Sequence, residues 1–219
     1  MPRRPARFRL LNLLVRLFPS RSKYRNNAIL LVRHINNASL KTEAGKYQFG
    51  WAEQNDINRI ASHPEARSKD VYQTRLEKGD RCFCIKCNDE IIGYNWIAFQ
   101  RCCHLCGSCY EFEFFPLNRN QAFTYDYYIY QKYRGQGMAI SLKKQLIIAL
   151  KSDGIDEIYT LVEPTNVPSM KIHLRLGYEP VCMVYSYRIL NWRKSFTHLS
   201  GNQDSLNKWV DSFMKSHGI

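Results

Sequence analysis

The segment Arg134-Gly135-Gln136-Gly137-Met138-Ala139 has the residue types and the setting to hold a phosphate. Ala122–Tyr130 before it is dense in Tyr and Phe, which favours a strand. After it, Met138, Leu142, Leu146, Ala149 and Leu150 share one helical face, and Gly154 stands where a C-cap belongs. A strand, a glycine-bearing loop and a helix N-terminus present unpaired N–H groups and the positive end of the helix dipole to a ligand. Two glycines let the backbone come close to it. Together these parts form a diphosphate-binding device. It is not a P-loop, because no Gly-Lys-Ser/Thr follows. It is not a dinucleotide fingerprint either, because the third glycine and a distal ribose-binding acid are missing. On its own the pattern also fits a plain tight turn.

A second chemistry is suggested by Cys84-x-x-Cys87 and Cys103-x-x-Cys106-x-x-Cys109. This is zinc-like spacing, and Cys84, Cys87, Cys103 and Cys106 would make a four-thiolate structural zinc site bracketing an insertion. Cys82 and Cys84 also alternate on one predicted strand, which is ordinary for buried cysteine.

Further along, Asn166 opens a short helix with Pro168 in its first turn, and the segment closes on Leu176-Gly177-Tyr178. At these two places the sequence resembles the GNAT superfamily of acyl-CoA-dependent N-acyltransferases. The family's Arg/Gln-x-x-Gly-x-Gly/Ala motif is matched by Arg134, Gly137 and Ala139. Its asparagine-opened helix ending in Leu-Gly-Phe/Tyr is matched by Asn166 and Leu176-Gly177-Tyr178. One helix and one strand fit between the two. The resemblance covers about residues 48–190.

The resemblance implies a GNAT fold: α+β, with a mixed, mostly antiparallel central sheet splayed at the acetyl-CoA site and flanked by helices. It implies that the backbone from Gly135 through Gln136, Gly137 and Met138 to Ala139, with Arg134, holds the diphosphate of acetyl-CoA. Tyr128, Ile129 and Tyr130 would pair with the pantetheine arm as an added strand. Asn166 would hydrogen-bond the same arm. The family often has a tyrosine seven residues after that asparagine, as acid for the departing thiolate. Here that position is His173, which can also donate a proton near neutral pH. Tyr133 or another tyrosine is the other candidate, and a plain core or surface histidine is the third reading.

Amine acetylation also needs a base, because an ammonium is not a nucleophile. Asp126, on the strand before the loop, and Glu163, ending the next strand, are the carboxylates placed for it. A plain turn carboxylate is the alternative for each. Tyr125, Tyr127 and Tyr128 would line the acceptor pocket, or serve only as strand filler. A backbone N–H near Ile129 is the natural donor to the thioester oxygen.

The elements that must position these groups are legible in outline. Gln48–Ala52 reads as a strand, and Asp56–Ser62 and Ser68–Lys78 as two short helices. Arg81–Cys87 and Glu90–Phe99 form a hairpin about Asn88-Asp89. Glu157–Glu163 and Glu179–Leu190 supply further strands. The expected organisation is a basic arm (1–25), a connector (26–47), the acyltransferase domain (48–190) with a Cys-rich insertion (101–121), and a helical tail (191–219).

The net charge of +13 is mostly local. Residues 1–25 carry eight cations and no acid, whereas the rest holds 24 basic and 19 acidic side chains. Nucleic acid is therefore not the expected partner. Leu10, Leu13, Leu14 and Leu17 keep helical spacing in the arm, so it reads as a peripheral anchor for an anionic membrane, or as a helix packed on the body. No stretch is long and apolar enough to span a bilayer. The tight cysteine spacing suits a reduced compartment, so a cytoplasmic location is expected, at the inner face of a membrane where the arm binds one.

The expected function is transfer of acetyl from acetyl-CoA directly to an amine of a small molecule or amino sugar. The competing reading is a non-catalytic acyl-CoA- or zinc-binding module held at a membrane or nucleic acid by the arm.

Overall fold

A computed structural model describes residues 23–35, 46–106, 110–189, 192–196, 210–216 and 218. The chain forms β1 (Lys23–His34), β2 (Tyr47–Trp51), α1 (Gln54–Ala61), α2 (Lys69–Glu77), β3 (Arg81–Cys87) and β4 (Glu90–Ala98). It continues with β5 (Arg101–Cys106), β6 (Tyr110–Pro116), β7 (Gln121–Ile129), α3 (Met138–Ser152), β8 (Glu157–Val162), α4 (Val167–Arg175), β9 (Glu179–Ile189) and β10 (Trp192–Phe196). A further helical stretch occupies 210–216.

Eight strands make one sheet in the order β10-β9-β1-β8-β7-β4-β3-β2. The pair β7–β8 is parallel and every other neighbouring pair is antiparallel. The helix α3 provides the crossover that a parallel pair needs. This is the expected α+β architecture.

The strands alternate their side chains between two cores. Ile29, Leu31, Phe83 and Ile85 join Leu142, Leu146 and Leu150 of α3 and Met170 of α4 on one face. Leu30, Cys82, Cys84 and Trp96 join Ile57 and Ile60 of α1 and Tyr72 of α2 on the other. Helices on both faces explain why so few strand positions are exposed.

Four expectations are revised. The tail expected to be helical over 191–219 contains β10, which pairs with β9 at the edge of the sheet. The connector expected over 26–47 contains most of β1, which lies between β9 and β8 within the sheet. The segment 101–121, expected to interrupt the regular pattern, forms the antiparallel hairpin β5–β6. The arm ends by residue 22, since Lys23 begins β1; residues 1–22 lie outside the described residues.

The hairpin turn at Asn88-Asp89 is as read. Both residues have positive φ, 49° and 62°, as a two-residue type I′ connection requires. Among the described residues no helix is long and apolar enough to cross a membrane.

Candidate active site

The site begins where two strands part. β7 and β8 pair only from Gln121–Glu157 to Thr124–Thr160. The Thr160 hydroxyl closes the base of the fork by donating to the Thr124 carbonyl at 3.0 Å. Beyond Thr124, β7 swings away in a bulge. Trp96 of β4 faces Tyr125, but Tyr94 faces Tyr128, so Asp126 and Tyr127 together oppose Asn95. The buried Asn95 amide holds the bend, donating to the carbonyls of Tyr125 (2.7 Å) and Trp96 (3.0 Å). Asp126 takes the strain, with φ at +43°.

The fork opens into a cleft of about 800 Å³. Its walls are β7 from Thr124 to Ile129, Thr160 and Leu161 of β8, the loop residues Tyr133, Arg134, Gly135 and Gly137, the first turns of α3, and α4. The Tyr130 N–H donates to Ile92 on β4. Strand N–H groups alternate in direction, so that of Ile129 points the other way, into the cleft. Its carbonyl on the same side is occupied by Arg134 Nε at 2.9 Å. Gly93 of β4 lets this segment sit close: a Cβ there would overlap the Ile129 side chain and lie 2.8 Å from the Tyr128 carbonyl oxygen.

At the other end lies the glycine loop. Gly135 and Gly137 have φ of 77° and 80°, values that favour glycine. Gly137 is the N-cap of α3. No described residue accepts a hydrogen bond from the N–H groups of Gly135 through Ala139. Five consecutive amides without a described acceptor, at a helix N-terminus, are suited to cradling an anion. Gln136 is exposed, does not line the cleft, and bonds the Lys132 carbonyl through its side chain.

Other expected cofactor residues divide. Tyr128, Ile129, Arg134, Met138, Ala139 and Asn166 line the cleft. The Tyr130 ring is buried in the opposite core. Asn166 caps α4 by accepting from the Ser169 N–H at 3.2 Å, which leaves its amide NH2 for a ligand.

Asp126 is in the cleft wall and strongly held. Its Oδ2 accepts from Arg75 Nη1 at 2.6 Å and Arg67 Nε at 3.1 Å. The Arg75 side chain is 1% exposed, within 5.0–5.4 Å of the ring centres of Tyr72, Trp96 and Tyr125. That aromatic box and the carboxylate together offset the desolvation of a buried guanidinium. Sequence reasoning missed Arg75 because its partners come from β4 and β7. Glu163, the other expected base, is exposed and does not line the cleft.

His173 lines the cleft but is not arranged as a proton donor. Its side chain is 3% exposed, and its Nδ1 donates to the Ser169 carbonyl at 2.8 Å. A carbonyl can only accept, so the proton is on Nδ1 and Nε2 is a bare lone pair without a partner. Burial first, and then the charge of Lys143, push the imidazole down to about 3. A neutral ring whose one proton is engaged has none to hand to a leaving group. The tyrosine alternative Tyr133 donates to Glu90 Oε2 at 2.8 Å.

The cysteine reading is corrected for its first pair. Cys84 is buried in the core under α1 and α2, while Cys87 packs against the core under α3. Residues three apart on a strand face opposite ways, so these two sulfurs do not converge on one ion. Burial also pushes the Cys84 thiol up to about 12, away from the thiolate a metal needs. The side chains of Cys103 and Cys106 lie outside the described residues. Among the described residues no group of three or more His, Cys, Asp or Glu could hold a metal.

Lys143 is the cleft residue the sequence hid best. It lies between Ala139 and Ile147 on the apolar stripe of α3, which was the available signal. The residue is 1% exposed, and its Nζ sits 4.9 Å from the Tyr127 ring centre. Burial pushes its ammonium down to about 7.

The chain belongs to the acetyltransferase (GNAT) family, whose model matches residues 48–178. A solved protein from Drosophila shares the fold with a TM-score of 0.56 and 14% identity, over 84% of this chain and 57% of that one. A GCN5-related N-acetyltransferase-like protein from Streptococcus suis gives 0.55 and 12%, over 85% and 68%. A GCN5-related glucosamine N-acetyltransferase region of a fungal multi-domain β-N-acetylglucosaminidase gives 0.56 and 15%, over 88% and 23%. The chain thus spans just over half the length of the Drosophila protein. These likenesses are of fold. No curated protein matches the sequence.

Proposed function

We propose that the chain is an N-acetyltransferase that passes acetyl from acetyl-CoA directly to an amine of a small molecule or an amino sugar. The observation that carries this reading is the row of five unbonded amides from Gly135 to Ala139, set at the mouth of the β7–β8 fork. The amides suit a diphosphate, and the Asn166 amide and the Ile129 N–H suit the arm that follows it. The Ile129 N–H is the donor for the developing oxyanion. Asp126 is the acceptor's anchor. The arginines hold Oδ2, which leaves Oδ1 for an amine nitrogen or for a water that carries off its proton. Holding both reactants in one cleft makes the transfer effectively intramolecular.

The test is thiol release from acetyl-CoA by the full chain against a panel of amines: aliphatic amines, polyamines, amino sugars, amino acids and peptides with free N-termini. The reading expects release above the no-amine rate with at least one small amine or amino sugar, and an acetylated product by mass spectrometry. Release with none of them would overturn it.

A further inference from the structure

A thiolate leaving a thioester needs a proton, and the cleft has few groups able to give one. The Tyr125 hydroxyl donates to Asp80 Oδ2 at 2.5 Å. Those of Tyr128 and Tyr133 donate to Glu65 and Glu90. Asp126 accepts from two arginines through Oδ2. Arg134 donates its Nε–H to the Ile129 carbonyl. His173 has its proton on the Ser169 carbonyl. Apart from the weakly acidic hydroxyls of Ser169, Thr124 and Thr160, two donors remain, Lys143 and the buried, unpartnered hydroxyl of Tyr127. Burial raises the Tyr127 hydroxyl above its ordinary range, which makes it the poorer acid.

We propose that Lys143 is the proton donor to the departing thiol, acting from α3 across the cleft beside the β7 segment Tyr127–Ile129. The inference rests on the acetyltransferase reading of the same cleft. The amine nitrogen bonds to the acyl carbon and the C–S bond breaks. The sulfur takes a proton from the Lys143 ammonium, and the new amide nitrogen loses one to Asp126 or water. Lys143 is then reprotonated from solvent through the cleft.

Three observations carry the assignment. Lys143 Nζ lies over the ring of Tyr127, two residues from the Ile129 N–H that faces the cleft. The groups facing it are Tyr127 from β7 and His173 from α4, and no described carboxylate pairs with it. Finally, a buried ammonium without a counter-ion works against the fold, so an apolar residue there would pack better. A destabilising ionisable group in a cleft marks a site of function. Its depressed ammonium, near 7, is matched to giving up a proton at neutral pH.

The experiment compares wild type, Lys143→Met and Lys143→Arg in thiol release across pH 6–9, with melting curves and acetyl-CoA calorimetry alongside. The expected result is a fall in kcat of roughly 100-fold or more for both variants, with KM for acetyl-CoA within about threefold. Wild-type kcat should fall as pH rises through the Lys143 ionisation, and that limb should vanish in Lys143→Met. Lys143→Met should also melt higher than wild type, so loss of activity cannot be loss of fold. A near-wild-type kcat in either variant, or an alkaline limb that persists in Lys143→Met, overturns the proposal. Arg at 143 sustaining turnover would mean that charge alone suffices. If wild type binds acetyl-CoA but acetylates no amine, the acetyltransferase reading itself falls.

Discussion

Replacing His173 by Phe tests the assignment of that histidine as a neutral core residue. The ring packs edge-on against Tyr178 at 4.9 Å, a contact that Phe keeps. What Phe loses is the Nδ1 bond to Ser169, about 1 kcal/mol at every pH. What it removes is a pH-dependent penalty. The folded imidazole titrates near 3, against an ordinary value of 6.5. Between those values the unfolded chain binds a proton that the folded chain does not. Stability is therefore full above about pH 6.5 and is lost as pH falls, at about 1.4 kcal/mol per pH unit. By pH 4 that loss is about 3 kcal/mol. His173→Phe should be about 1 kcal/mol less stable than wild type at pH 7, equal to it near roughly pH 6, and about 2 kcal/mol more stable at pH 4. Urea unfolding of both proteins at pH 7, 6, 5 and 4 reads the difference, in which the other titrating groups cancel. A difference that stays constant over this range would mean the folded histidine titrates normally. That result would restore it as a candidate acid.

Arg75→Met keeps much of the apolar stem but strips Asp126 of its buried partner. A loss of about 3–5 kcal/mol in stability is expected, with weakened KM for the amine, because Arg67 alone must hold the carboxylate. Unchanged stability and amine KM would show that Arg75 does not position Asp126. Deleting residues 1–22, a cut that stops short of β1, should release the protein from anionic vesicles at low salt and leave acetyl-CoA affinity within about twofold. Full-length protein that stays in the supernatant of a co-sedimentation assay would end the membrane reading of the arm.

The parts of the site legible in the sequence were those carried by local backbone chemistry. Gly135 and Gly137 announced a left-handed loop, and Asn166 a helix cap, because glycine and asparagine at those places have few other uses. The strand β1 was not legible. Ile29 and Leu31 enter one core and Leu30 the other, so a strand buried on both faces shows no alternation and reads as a short apolar run. Cys84-x-x-Cys87 misled for the opposite reason: its spacing suits a loop, whereas a strand separates residues three apart onto opposite faces. The polar groups at the heart of the cleft depend on tertiary placement. Arg75 looks like an ordinary polar helix residue until Trp96 and Tyr125 are brought over it. Lys143 could have been caught, since Leu142, Leu146 and Leu150 mark the buried side of α3 and a charge beside them on that stripe calls for a reason.

The central claim is that the β7–β8 fork and the α3 N-terminus bind acetyl-CoA. Calorimetric titration of acetyl-CoA into the full chain, beside Gly137→Glu, tests it most directly. Beyond its chain neighbours, a Cβ at Gly137 would meet nothing within 4 Å, although its φ of 80° strains any side chain, so a melting curve of the variant accompanies the titration. The account predicts one site per chain in the wild type, and affinity at least about 100-fold weaker in a folded Gly137→Glu, whose carboxylate would stand at the diphosphate cradle. No heat of binding in the wild type, or equal affinity in the two proteins, would contradict it.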